Sequence, residues 1–168
     1  MNNVKISELK KYENEVVELK GWVYNTRSVG KIWFIIFRDG TGLLQGVVVK
    51  NEADDSSFMM EQQLNQEDSV IINGIVRKEP RSVGGYELGV KSIKLVNQVV
   101  EEFPISHKEH GTDFLMSNRH LWLRSKRQNA IMRIRHRVIK SIRDFFDNNG
   151  FVLIDSPVFT GNAVEGTA

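Results

Sequence analysis

The sequence predicts a mainly β chain with added helix: a five-stranded Greek-key barrel, a hinge, then one long helix and a strand. Three observations carry this expectation. Apolar residues recur with a period of two through residues 16–50 and again through 69–78 and 86–96, the spacing of half-buried strands. One stretch, residues 56–65, loses that period between the third and fourth strand-like runs. From residue 125 the repeat becomes helical, with Ile131, Ile134, Val138, Ile142 and Phe145 on one side and Arg133, Arg137, Lys140 and Arg143 off it.

Ser7, followed by Glu8 and Leu9, predicts one or two capped helical turns before the first strand. In that strand, simple alternation puts Trp22 and Tyr24 on one face and Val23, Asn25 and Arg27 on the other. The indoles of Trp22 and Trp33 are assigned to the core. A second strand covers 31–38, and Asp39-Gly40-Thr41-Gly42 makes the turn into a third over 43–50. Phe58, Met59 and Leu64 among Glu61, Gln62 and Gln63 suggest a short helix, capped near Asp55 or Ser56, that plugs one end of the barrel. Strands over 69–78 and 86–96 flank a turn rich in Pro80, Gly84 and Gly85. Five antiparallel strands with one helix between the third and fourth is the order of an oligonucleotide-binding (OB) barrel.

Residues 97–118 have no periodicity, and Pro104 with the polar SHKEHGTD run reads as a hinge. The expected organisation is therefore a barrel over 1–100, a hinge over 101–124 and the beginning of a second domain over 125–168. Ser125 should cap the long helix, Gly150 should end it in a left-handed conformation, and residues 151–154 read as a buried strand ending at Pro157.

Bulk properties narrow the function. At 168 residues, 40% hydrophobic and 26% charged, the chain has room for a barrel and part of a second domain. No run is long and apolar enough to span a membrane, and residues 1–11 are polar and mixed, so a cytoplasmic protein is expected. There is no cysteine, which removes disulfides, thiolate catalysis and thiolate zinc ligands. His107, His110, His120 and His136 are too scattered for a metal site, and no phosphate-binding glycine loop is present. The net charge of +2 says less than its distribution: residues 119–143 hold nine Lys or Arg and no acid. A solvated helix face is the commoner reason for such a run.

Reading single-stranded RNA takes flat surfaces for stacking, donors and acceptors for base edges, and positive charge for phosphates. The first strands supply all three, and alternation sets Phe34 opposite Trp33 and Ile35. Taken singly, Phe34 would more often be core, and Arg27, Gln45 and Glu87 would more often be solvated. Taken together with Gly21, Trp22, Val23, Gly30, Trp33, Ile35, Arg38, Asp39 and Gly42, the pattern resembles the anticodon-binding barrel of the class II aminoacyl-tRNA synthetases for aspartate, asparagine and lysine. That resemblance implies that Phe34 stacks on an anticodon base, Arg27 and Gln45 bind base edges or backbone, and Glu87 reads the wobble base.

A second stretch adds to it. Lys108-Glu109-His110-Gly111 followed by Arg119, His120, Leu121, Trp122, Leu123 and Arg124 resembles the hinge of asparaginyl-tRNA synthetases, where aspartate and lysine relatives tend to carry Tyr-Leu-Asp-Leu-Arg. The helix, strand and Pro157 resemble class II motif 1, which implies a homodimer interface at Ile131, Ile134, Val138 and Pro157. The residues alone read as an amphipathic helix packed on a sheet. The final AVEGTA resembles the segment whose Glu holds the amino group of the amino acid, a role that falls on Glu165.

The family implies that a full-length enzyme uses ATP and Mg2+ to form asparaginyl adenylate and charges tRNA(Asn). Its motifs 2 and 3, with their phosphate-stabilising arginines, have no counterpart in these 168 residues. The chain is therefore expected to hold no catalytic residue, metal or bound cofactor and to be inactive alone, with tRNA(Asn) and a second copy as partners and neither DNA nor membrane. Two other readings remain open at this point: a stand-alone single-strand-binding module, and an aspartyl-tRNA synthetase of relaxed specificity.

Overall fold

A computed structural model describes residues 2–106 and 108–156, and the chain divides into two compact units, residues 1–106 and 107–168. In the first, a two-residue strand β1 (Asn2–Asn3) pairs in parallel with the start of β2 (Val16–Val29). The remaining strands are β3 (Ile32–Arg38), β4 (Leu43–Val49), β5 (Ser69–Lys78) and β6 (Tyr86–Asn97). They pair in the order β2, β3, β4, β6, β5, and β5 pairs again with β2, so the expected five strands close into a ring. Their pairing is not antiparallel throughout. β4 and β6 run parallel, with Gln45 opposite Glu87 and Val47 opposite Gly89. An odd number of strands cannot close a ring with every neighbour reversed, so one parallel seam is unavoidable.

Inward-pointing Leu19, Trp33, Ile35, Phe37, Ile72 and Leu88 are fully buried and make the core of the ring. β2 is long because it serves two ladders. Residues 16–22 pair with β5 and residues 22–29 with β3. At the crossover Gly21 is obligatory in steric terms, since a Cβ there would collide with the Arg38 carbonyl.

Just beyond the crossover β2 bulges: Val23 pairs with Phe37 and Asn25 with Ile36, leaving Tyr24 as an extra residue. This corrects the expected faces. Val23 is buried, whereas Arg27 lies exposed on the outside. Trp22 is not in the core either. Its side is 42% exposed and the Arg38 guanidinium lies 5.4 Å from its ring centre.

The helix between the third and fourth ring strands is α1 (Asp55–Met59), continued by a 3-10 turn at Met60–Gln62. Asp54 caps it by accepting the Ser57 amide at 2.7 Å, one residue earlier than the sequence suggested. Hydrogen bonds from Ser56, then Ser57, hold the Asp54 carboxyl below the ordinary carboxylate range. Phe58 and Met60 pack against the core, as a plug should. The N-terminal turns form a 3-10 helix, Ile6–Tyr12, without the expected Ser7 cap. Its free amides are met from the β3–β4 turn: Asp39 accepts from Ile6 at 2.8 Å and Thr41 from Ser7 at 3.1 Å.

The second unit holds α2 (Thr112–Ser117), α3 (Arg119–Trp122) and α4 (Lys126–Asn148). The two short helices stand inside the stretch read as a hinge, because four to six residues are too few to show a helical repeat. α4 begins as expected, with the Ser125 hydroxyl accepting the Gln128 amide at 3.3 Å. It ends at Gly150 (φ 83°), where the Gly150 amide reaches Asp147 and that of Phe151 reaches Phe146, both at 3.1 Å. The Phe146 and Phe151 rings meet edge-on at 5.4 Å and complete the left-handed stop. No strand forms at residues 151–154, which are exposed. Ile131, Ile134 and Val138 are exposed along α4. Pro157 and Glu165 lie outside the described residues.

Candidate nucleic-acid interface

Strand register brings four sequence-distant residues into one row on the outside of the ring. Arg27 of β2 lies opposite Phe34 of β3, and Gln45 of β4 lies opposite Glu87 of β6. Gln45 in turn faces Ile36, two residues from Phe34 and so on the same side of β3. The side chains complete the row. The Arg27 guanidinium lies 4.5 Å from the Phe34 ring centre and donates to the Gln45 amide oxygen at 3.3 Å, and the Gln45 amide nitrogen reaches the Glu87 carboxylate at 3.5 Å.

Each member contributes a different capacity. Phe34 is half-buried while its neighbours Trp33 and Ile35 are fully buried, so it presents a flat face without leaving the sheet. The guanidinium that lies over it can itself stack on a base or bind a phosphate. Gln45 carries both a donor and an acceptor, and Glu87 offers acceptors only, so the far end of the row favours exposed base amino and imino groups. Positive charge at one end and negative at the other would orient a bound base.

Next to Glu87 in register stands Arg77 of β5, a residue that sequence reasoning did not single out. It crosses the glycine at 89, where a Cβ would come within 2.7 Å of the guanidinium, and donates to Glu52 at 2.8 Å. That hydrogen bond, with the accompanying charge, lowers the Glu52 pKa. The glycine at 89, two residues along β6 from Glu87, was the available sign. Among the described residues no group of His, Asp or Glu is placed to hold a metal, and no helix is long and apolar enough to cross a membrane.

The fold and the row can be set against known proteins. Residues 17–96 match the OB-fold nucleic acid binding domain family, and residues 111–168 match the class II tRNA synthetases for D, K and N. An asparagine–tRNA ligase of Desulforamulus reducens is 54% identical over 99% of this chain, which covers 38% of that protein. One of Symbiobacterium thermophilum is 52% identical over the whole chain and again 38% of the relative. In three dimensions the chain resembles the asparaginyl-tRNA synthetase of Pyrococcus horikoshii complexed with asparaginyl-adenylate, with a TM-score of 0.86 at 33% identity over 100% of this chain and 39% of that one. The chain thus spans about two fifths of the length of these relatives.

Proposed function

The chain belongs to the asparaginyl-tRNA synthetase family, corresponding to its N-terminal part, and from this premise we propose that its ring of strands recognises the anticodon of tRNA(Asn). The observation that carries the reading is the continuous row of Phe34, Arg27, Gln45 and Glu87, four residues from four strands linked each to the next on one face. A base stacks at Phe34, Gln45 and Glu87 read its neighbours' edges, and Arg27 steadies the backbone. In the complete protein, ATP and Mg2+ drive formation of asparaginyl adenylate, and asparagine is then transferred to the tRNA in the cytoplasm. The resemblance gives Glu165 the amino group of the amino acid to hold.

A stem-loop bearing the asparagine anticodon is expected to bind this chain more tightly than one bearing the aspartate anticodon, which differs at the third position. Phosphate contacts cannot supply the difference, since they carry no sequence information. Titrations of both RNAs at several salt concentrations test it. Equal affinities throughout would point instead to a generic single-strand binder.

The exposed stripe on α4, with Ile131, Ile134 and Val138, supports a second part of the proposal: two copies pair through this helix, with Pro157 at the same interface by resemblance. Sedimentation should show a concentration-dependent dimer that Val138→Asp converts to monomer. A parent chain that stays monomeric at all concentrations would remove this part.

A further inference from the structure

The row depends on the bulge at Tyr24, because without that extra residue Arg27 would point into the ring and not toward Phe34. What holds the bulge is a loop residue far from the row. The Glu67 amide donates to the Val23 carbonyl at 2.7 Å and the Val23 amide donates to the Asp68 carbonyl at 2.9 Å, so the loop grips both polar groups of the residue just before the bulge. The Glu67 side chain reaches the other strand: its carboxylate accepts from the Arg38 guanidinium at 2.6 Å, and that guanidinium lies over Trp22, its partner in the β2–β3 register.

Two further facts mark Glu67 as more than a loop residue. It is only 8% exposed, which is rare for a carboxylate unless paired. Its φ is 74°, in the left-handed region that non-glycine residues seldom adopt and that persists only where the surroundings impose it. A glycine would take up that backbone with less strain but would forgo the carboxylate. We propose that Glu67 is a positioning residue for anticodon recognition: by stapling β2 to β3 at the bulge, it sets the register that turns Arg27 onto Phe34. The inference rests on the reading of the row as the RNA site and adds a positioning residue outside it.

The test is a double-mutant cycle on the 168-residue chain, with affinity for the asparagine anticodon stem-loop as the readout and melting temperature alongside. Glu67→Ala should weaken binding by about three- to tenfold, in the range of coupling between networked residues. The same change in an Arg27→Ala background should have almost no further effect. Glu67→Gln, which keeps an acceptor for Arg38, should restore most of the affinity. Should Glu67→Ala fail to fold, Arg38→Lys takes its place in the cycle, since it keeps the charge but not the flat guanidinium, and a smaller loss that again depends on Arg27 is expected. A parent-like affinity for the folded variant, or a loss that persists undiminished without Arg27, would overturn the proposal. Failure of the underlying site reading looks different: Phe34→Ala would then bind the stem-loop as the parent does.

Discussion

Asp68→Ala is expected to destabilise the ring unit more than any other single polar truncation in it. Asp68 is fully buried at the join between the α1 connection and β5, and its carboxylate accepts the Asn65 amide at 2.7 Å and the Val99 amide at 2.8 Å. Alanine would leave both donors without a partner in a site that water does not reach. Each orphaned donor costs about 1–3 kcal/mol, so a loss of about 2–5 kcal/mol is expected. For a unit of this size that corresponds to a melting temperature lower by roughly 10–25 °C. Asp68→Asn keeps one acceptor oxygen and should lose about half as much. Thermal denaturation followed by circular dichroism measures both, and a shift of the alanine variant by less than about 4 °C would mean that the two amides find other partners.

Phe34→Ala is expected to have the largest effect on RNA. The side chain stands on the outer face, half-buried, with the inward neighbours Trp33 and Ile35 untouched by its removal. Losing one aromatic stacking surface costs about 1–3 kcal/mol of binding, which is roughly five- to 150-fold in affinity. Arg27 also loses the ring beneath its guanidinium, so part of the deficit should come from a less ordered cation. Fluorescence titration with the stem-loop, next to a melting curve, separates recognition from folding. A variant that melts far below the parent, with affinity lost only in proportion to the unfolded fraction, would make Phe34 a packing residue.

Much of this is legible in the sequence, and the reasons are local. Period-two runs located all five ring strands, and the alternation of Trp33, Phe34 and Ile35 put the Phe34 ring outside. Ser125 and Gly150 delimited α4 because caps are chemical signals carried by single residues. The features that escaped are those set by distant partners. The bulge at Tyr24 needs the loop at Glu67 and Asp68 to hold it, so strict alternation carried Trp22 into the core and Val23 to the wrong face. The N-terminal helix takes its cap from Asp39, some thirty residues away in sequence, so Ser7 was a false signal. Residues 151–154 have the composition of a buried strand, but a strand exists only where another strand receives its hydrogen bonds. How Gln45 and Glu87 come together was likewise invisible, since the parallel seam follows from ring closure and not from either strand alone.

That seam has a kinetic meaning. β2, β3 and β4 are successive hairpin partners and can pair through short turns, whereas Gln45 meets Glu87 only after α1, β5 and the following turn have been threaded and β6 has docked. Contacts of such high sequence separation form slowly, because the chain loses loop entropy before the pairing rewards it. Arg27 and Phe34 can therefore meet early on the nascent hairpin, while the half of the row proposed to read base edges, Gln45 with Glu87, is assembled last. During refolding the chain would pass from a surface that holds RNA by stacking and charge to one that tells anticodons apart, and discrimination would emerge only with the closing of the ring.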